Sequence, residues 1–253
     1  MAEPEEVQRI HRRYLEQATW TSGVRRRLLE RVGVGGVRRL LEVGAGTGAI
    51  ADELAEAIPG TVFALDIDPQ LCPYGAKNAP RARWVCADGH ALPLQTSSFD
   101  AVAFHYVLLW LEDPAQALAE ALRVTRPGGW ILALAEPDHA SRLYFPELLA
   151  RLGERQTEAL AARGADVRMG RKLRALFSAA GLGEVTVGVL GGEWSDGSNL
   201  GASTFEWEIL RTDLGGTVPD GDLDVLEDYD RDAWQRGERV LFVPTFYAAG
   251  QVR

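Results

Sequence analysis

Short, nearly unbroken apolar runs alternate with amphipathic segments of helical period through the middle of this 253-residue chain. The runs predict strands at 37–43, 61–66, 81–86, 99–104 and 129–135, and the segments at 48–57, 69–78 and 114–124 predict helices between them. Strands that are apolar on both faces and separated by helices belong to a parallel sheet covered on both sides, with right-handed crossovers. Gly128 and Gly129, after Pro127, mark the turn into the fifth strand. Ahead of the sheet, residues 4–33 read as two short helices. The second starts after Thr21 and Ser22, which can cap it, and lines up Val24, Leu28, Leu29 and Val32.

The second half continues with helical patterns at 146–163 and 168–180, the latter stopped by Gly181, and a strand at 184–190. A Gly-, Ser-, Asp- and Asn-rich stretch at 191–201 reads as a loop, 203–212 and 222–237 as helices, and LFVPTFYAAGQVR as a last strand. Pro244 in that strand suggests an irregular or edge position. The expected fold class is α/β: a Rossmann-like, doubly wound, mostly parallel seven-stranded sheet with N-terminal helices and a helical insertion before the last strand. One domain is expected, with a core at 37–190, an insertion at 191–238 and a final strand at 239–253.

Charge narrows the partners. A formal net charge of -9 argues against a general polyanion binder, which needs a clustered basic surface. The arginines of the first forty residues and the acid between Asp220 and Asp232 read as solvated helix faces that can attract each other. Lys77 and Lys172 are the only lysines, an arginine bias that genome composition and a hot habitat would both produce. Cys72 and Cys86 are too few for a disulfide framework and lack metal-site spacing, so they read as reduced and partly buried, and no metal is expected. The acidic start MAEPEEVQRI does not resemble a secretory signal, and no apolar run is long enough to cross a bilayer. A cytoplasmic protein without membrane or nucleic-acid partners is the expectation.

The chemistry concentrates at VRRLLEVGAGTGA, residues 37–49, followed by a strand that ends at Asp66. Gly44, Gly46 and Ala49 satisfy the dinucleotide spacing, and Asp66 stands where a ribose-binding acid is expected, so a nicotinamide-dependent oxidoreductase is one reading. Glu42 argues against it, because a carboxylate two residues before the first glycine would face a doubly anionic pyrophosphate at close range. A cationic ligand suits that position better. S-adenosyl-L-methionine has no phosphate and offers an ammonium and a sulfonium.

The motifs LLEVGAGTG at 40–48, ALDIDP at 64–69 and the stretch 86–138, from CADGHALPL to PGGWILALAEPD, resemble the class I S-adenosylmethionine-dependent methyltransferases, especially the ubiquinone/menaquinone-biosynthesis-like small-molecule group. The resemblance implies that Gly44, Ala45, Gly46 and Gly48 pass under the methionine part, with Glu42 orienting its ammonium. It implies that Asp66 takes the ribose hydroxyls, that Ile67 packs on the adenine, and that Asp88 accepts from the adenine amino group, with Gly89 and His90 beside it. It places His105 near the methyl donor, and Tyr14 and Gln17 in a helical lid at 1–36. Plainer readings stand beside these: Asp66 as a helix cap, which Asp68 fits better; Asp88-Gly89 as a turn; His105 as a core histidine; and Trp84, Trp110 and Trp130 as packing.

Methyl transfer from a sulfonium is an in-line displacement on an activated carbon, so alignment and exclusion of water matter most. If the acceptor gives up a proton, His105 and His139 are the candidate bases. Glu136, Asp138 and Tyr144 are expected to face the acceptor. Trp194, Phe205, Trp207, Trp234 and Tyr247 are candidates for an apolar pocket, and the acidic run reads chiefly as a solubilising face. FHYV at 104–107 replaces an NPPY-like tetrapeptide, which counts against adenine or glutamine-amide methylation. A ligand-binding module that kept the fold without turnover is the non-enzymatic alternative.

Overall fold

In a computed structural model, residues 4–192 and 200–253 are described, with the backbone alone described at residue 4 and at 200–205. The N-terminal stretch is one helix, α1 (Pro4–Arg31), where two were expected. Thr21 and Ser22 cap nothing: their hydroxyls donate back to the carbonyls of Ala18 and Thr19, at 3.3 and 3.0 Å, inside the continuing helix.

The alternation that follows is β1 (Arg39–Val43), α2 (Ala51–Ala57), β2 (Thr61–Asp66), α3 (Leu71–Asn78), β3 (Arg83–Cys86), β4 (Phe99–His105), α4 (Pro114–Val124) and β5 (Thr125–Pro137). Asp113 caps α4 by accepting from the Gln116 amide at 3.0 Å, with Pro114 in the first turn. Strand β5 begins four residues earlier than the glycines suggested, because the ladder with β4 crosses them through an irregularity between Phe99 and Ala101. After α5 (Glu147–Ala162) and α6 (Met169–Ala179) come β7 (Gly183–Val189) and, at the chain's end, β9 (Thr245–Gln251). The sheet has seven strands in the order β3-β2-β1-β4-β5-β9-β7, with β7 and β9 antiparallel and the β1, β2, β3, β4 and β5 pairings parallel. Chain order runs outward from β1 to β3 on one side and from β4 to β5 on the other, where β9 then inserts between β5 and β7. The carboxyl ends of β1 and β4 therefore flank the switch point where open α/β sheets hold ligands.

Internal contacts divide the chain into two compact units. The first, Met1–Glu136 with Met169–Leu190 and Thr245–Arg253, contains the seven-stranded sheet. Its core joins Leu40, Val62, Ala101 and Leu132 from the strands to Leu28 and Leu54 from the helices and to Ile58 just after α2. The second unit, Pro137–Arg168 with Gly191–Pro244, adds 137–168 to the expected insertion. There β6 (Leu143–Phe145) pairs antiparallel with β8 (Val240–Phe242), so the start of the expected last strand belongs to a separate small sheet. The break falls at Pro244, whose carbonyl accepts from the Asp138 amide at 2.7 Å. Strand β9 then lies inside the large sheet and not at its edge. Helices α7 (Leu200–Leu214) and α8 (Asp220–Gln235) complete this unit around Leu152, Trp207, Leu210, Leu214 and Leu223. No described helix is long and apolar enough to cross a membrane.

Candidate functional site

The switch point of the first unit is built on the carboxyl end of β1. Continuous apolar neighbours draw Glu42 into the sheet interior, where it is 2% exposed, and its Oε2 meets no hydrogen-bond partner among the described residues. Burial pushes its carboxyl up to about 8, against the pull of Arg25 and with added repulsion from Asp66 and Glu53. The chain then turns sharply, with the amides of Gly44 and Ala45 both donating to the Leu65 carbonyl at 2.8 and 2.9 Å. Gly44 and Gly46 have φ of +74° and +54°, and a Cβ on Gly44 would stand 2.3 Å from Val107 Cγ2. Only glycine keeps this cradle open.

Asp66 ends β2 with both carboxylate oxygens engaged: Oδ2 accepts from the Gly46 amide at 2.6 Å and Oδ1 from the Asp68 amide at 2.9 Å. It is thus the strut that positions the glycine turn, with lone pairs left for further donors. Asp68 accepts from the Gln70 amide at 2.8 Å in the turn that leads into α3, whose N-cap position, Gln70, makes no side-chain cap bond. Ile67, next along, is 65% exposed, an isolated apolar face at the mouth of the switch point. After β3, Asp88 accepts from the backbone and the ring of His90 at 2.8 and 2.7 Å, which holds its carboxyl below the usual range. The Asp113 amide donates to His90 Nε2 at 3.3 Å, so Nδ1 carries the proton shared with Asp88. His90 therefore locks the Asp88-Gly89 turn to the cap of α4.

Helix α1 lies over the glycine turn. Tyr14 packs so closely that a Cβ on Gly46 would be 3.1 Å from its ring, and burial raises its phenol above the ordinary range. His11 Nδ1 is 2.9 Å from the Thr47 hydroxyl. One turn-pair further on, Thr21 Oγ1 is 2.9 Å from Nε2 of His105, at the end of β4. Burial, aided by the Arg25 charge, lowers the His105 imidazole to about 3. Arg25 is 1% exposed, donates to Thr21 and to the Ala18 carbonyl, and pairs with Glu53. The sequence reads Thr21 as a cap and Arg25 as part of a solvated face, and gives His11 and Thr47 no role at the site. The signal was there: His11, Tyr14, Ala18, Thr21, Arg25 and Leu28 follow the 3-and-4 spacing of one helix face.

Several expected residues have other work. Glu136 is fully buried: its Oε1 accepts from the Val107 and Leu108 amides at 3.1 and 2.9 Å, and Oε2 from Leu109 at 3.2 Å. It fixes the turn after β4, and burial pushes its carboxyl up to about 7 despite those amides. Tyr247 accepts from Arg27 at 3.2 Å, with the guanidinium over its ring. Trp84 donates to the Ala79 carbonyl at 3.2 Å and packs on Gly75, a packing role, and Trp130 packs against the sheet core, whereas Trp110 is 44% exposed.

His139 and Tyr144 belong to the second unit, as does the buried Asp138. His139 Nδ1 accepts from Arg142 at 2.7 Å, and Tyr144 donates to Glu206 at 3.1 Å. Trp207 donates to Asp230 at 3.0 Å, and Asp230 in turn pairs with Arg239 at 2.5 Å, so the acidic run is partly neutralised internally. Trp194 and the Phe205 side chain lie outside the described residues. No cluster of three or more His, Cys, Asp or Glu able to hold a metal occurs among the described residues.

Residues 41–133 match the profile of the family described as "Methyltransferase domain". The chain is 37% identical over 131 residues to the demethylmenaquinone methyltransferase of Renibacterium salmoninarum, covering 50% of this chain and 54% of that protein. It is 41% identical over 126 residues to the malonyl-[acyl-carrier protein] O-methyltransferase of Halorhodospira halophila, covering 47% of this chain and 43% of that protein. The chain thus spans about half the length of the curated relatives it matches. Among solved structures, a putative methyltransferase from Bacillus halodurans aligns with a TM-score of 0.60 at 15% identity, covering 89% of this chain and 96% of that one. A geranyl diphosphate methyltransferase in complex with SAM aligns at 0.59 and 15% identity, over 92% and 85% of the two chains. These likenesses are of fold.

Proposed function

We propose, from the premise that residues 41–133 are a methyltransferase domain of the class I fold, that this protein transfers a methyl group from S-adenosyl-L-methionine to a small-molecule acceptor. The observation that carries the reading is the buried Glu42 Oε2 without a partner beside a cradle that tolerates no Cβ. A buried, unsatisfied carboxyl is costly, and an ammonium donor there would satisfy it. A pyrophosphate offers no such donor. The residues present therefore fit a cationic amino-acid group, and nothing favours the nicotinamide alternative.

In this reading Glu42 and the turn from Gly44 through Ala45 and Gly46 to Gly48 hold the methionine part. Asp66 accepts from the ribose hydroxyls while keeping the Gly46 amide in place, Ile67 covers one face of the adenine, and Asp88, Gly89 and His90 meet its edge. Tyr14 closes the cradle from α1 and excludes water. When bound, the cofactor supplies a methyl group on a sulfonium, already activated for in-line displacement. His105 is a neutral hydrogen-bonding group near the donor, with little capacity to store a proton at neutral pH; His139 keeps its place as a proposed proton acceptor. The acceptor is a small organic molecule methylated at oxygen, nitrogen or carbon, and the net charge of -9 supports neither nucleic acid nor a membrane surface as partner. The protein acts in the cytoplasm.

Calorimetry with S-adenosylhomocysteine and with NAD tests the reading. Saturable binding of S-adenosylhomocysteine, with none of NAD, is expected. Tight NAD binding with no response to S-adenosylhomocysteine would overturn it, and cofactor binding without turnover on any acceptor would favour a non-catalytic module.

A further inference from the structure

The two cysteines of the chain meet at the carboxyl end of β2. Cys72, in the first turn of α3, is buried and donates to the Asp66 carbonyl at 3.5 Å. Cys86, the last residue of β3, is exposed and donates to the Ile67 carbonyl at 3.8 Å. Cys86 stands directly across the ladder from Asp66, the residue whose carbonyl accepts from Cys72. Two elements distant in sequence therefore bring both sulfurs to one pair of consecutive carbonyls.

We propose that Cys72 and Cys86 form a dithiol redox site that a peroxide closes to an intramolecular disulfide. Exposed Cys86 meets the oxidant: its thiolate attacks one peroxide oxygen, the O–O bond breaks, and the other oxygen leaves as water after taking a proton, giving a sulfenic acid. Cys72 then attacks the Cys86 sulfur, the S–OH bond breaks, and the thiol proton leaves with the hydroxide as a second water. Two thiols are oxidised and one peroxide is reduced to two waters. Burial pushes the Cys72 thiol up to about 12, so it waits as a protonated partner and does not compete for the oxidant.

Closure draws the first turn of α3 toward the end of β3, because a disulfide holds its sulfurs about 2 Å apart. Both S–H donors to the Asp66 and Ile67 carbonyls disappear. On the reading of Asp66 and Ile67 as the pair that holds the adenosine, oxidation weakens cofactor binding, and by reciprocity bound cofactor slows closure.

The test treats the purified full chain with stoichiometric hydrogen peroxide, blocks remaining thiols, and digests with trypsin. The expected product is peptide 40–77 linked to peptide 84–123 with loss of two hydrogens, accompanied by at least a fivefold rise in the dissociation constant for S-adenosylhomocysteine. Cys72→Ser should give no such link and keep its affinity after peroxide. Sulfinic acid on Cys86 with Cys72 untouched, or disulfide-linked dimers through Cys86, would overturn the dithiol site. Equal affinity of reduced and cross-linked protein would overturn the coupling. A cross-link in a protein that binds S-adenosylhomocysteine in neither state would leave the dithiol site standing and remove the cofactor reading instead.

Discussion

Nε2 of His105 and the hydroxyl of Thr21 are 2.9 Å apart, so the end of β4 and the inner face of the N-terminal helix share a hydrogen bond. Arg25 donates to the same hydroxyl. This places a fixed positive charge beside the imidazole, and burial with that charge lowers His105 to about 3. The imidazole is neutral in the native state and is protonated in the unfolded chain below about 6.5. Its contribution to stability is therefore present above 6.5 and is lost as pH falls toward 3. The His105 Cε1 proton resonance should stay flat from pH 8 to pH 5 in an NMR titration, and a midpoint near 6.5 would contradict the burial.

Glu42 titrates in the opposite sense. With its carboxyl raised to about 8, the native state holds a proton that the unfolded chain has already released, so stability falls as pH rises from about 4.5 to 8. The slope is at most about 1.4 kcal/mol per pH unit. Urea midpoints at pH 6 and pH 8 should differ more in the wild type than in Glu42→Gln. Equal differences would show that Glu42 is ionised in the free protein.

The same proton should leave on binding. An ammonium beside Glu42 favours the carboxylate, so S-adenosylhomocysteine binding at pH 7 should release close to one proton and tighten toward pH 8. Calorimetry in buffers of different ionisation enthalpy measures that number. Zero release contradicts either the raised pKa or the placement of the ammonium.

Glu136 offers a stability test away from the ligand. Removing its carboxylate strips two buried amides and one half-buried amide of their acceptor, at 2.9, 3.2 and 3.1 Å. Glu136→Ala should cost about 3 kcal/mol in chemical denaturation, and a loss under about 0.5 kcal/mol would mean that the turn after β4 holds without it.

Gly44 and Gly33 separate conformation from crowding. Both have positive φ, +74° and +70°, but a Cβ on Gly44 would stand 2.3 Å from Val107 whereas Gly33 has nothing within 4 Å. Gly33→Ala should cost about 1–2 kcal/mol from the backbone alone. Gly44→Ala should cost clearly more and weaken S-adenosylhomocysteine binding; equal costs would mean that Val107 yields freely.

The large sheet was legible because its strands are apolar on both faces and its helices are periodic, whereas the order of its strands was not. The position of the glycine turn, Glu42 and Asp66 was legible because they stand at the ends of β1 and β2, with Asp88 two residues beyond β3. The single helix α1 was not, because Thr21 and Ser22 carry the composition of a cap while their hydroxyls bond within the helix. Nor was the pairing of β6 with β8, which joins two three-residue strands almost a hundred positions apart. Glu136 was misjudged because its sequence neighbours place it at the functional edge, and only the packed turn at 107–109 reveals which way its carboxylate points.

The central claim is that Glu42 receives the ammonium of the cofactor. A double comparison tests it most directly: the affinities of S-adenosylhomocysteine and of methylthioadenosine, which lacks the amino-acid group, for wild type and Glu42→Gln. Glu42→Gln should weaken S-adenosylhomocysteine by about tenfold or more, the loss of one charge-assisted hydrogen bond, and leave methylthioadenosine unchanged. An equal loss for both ligands, or none for either, would contradict the assignment.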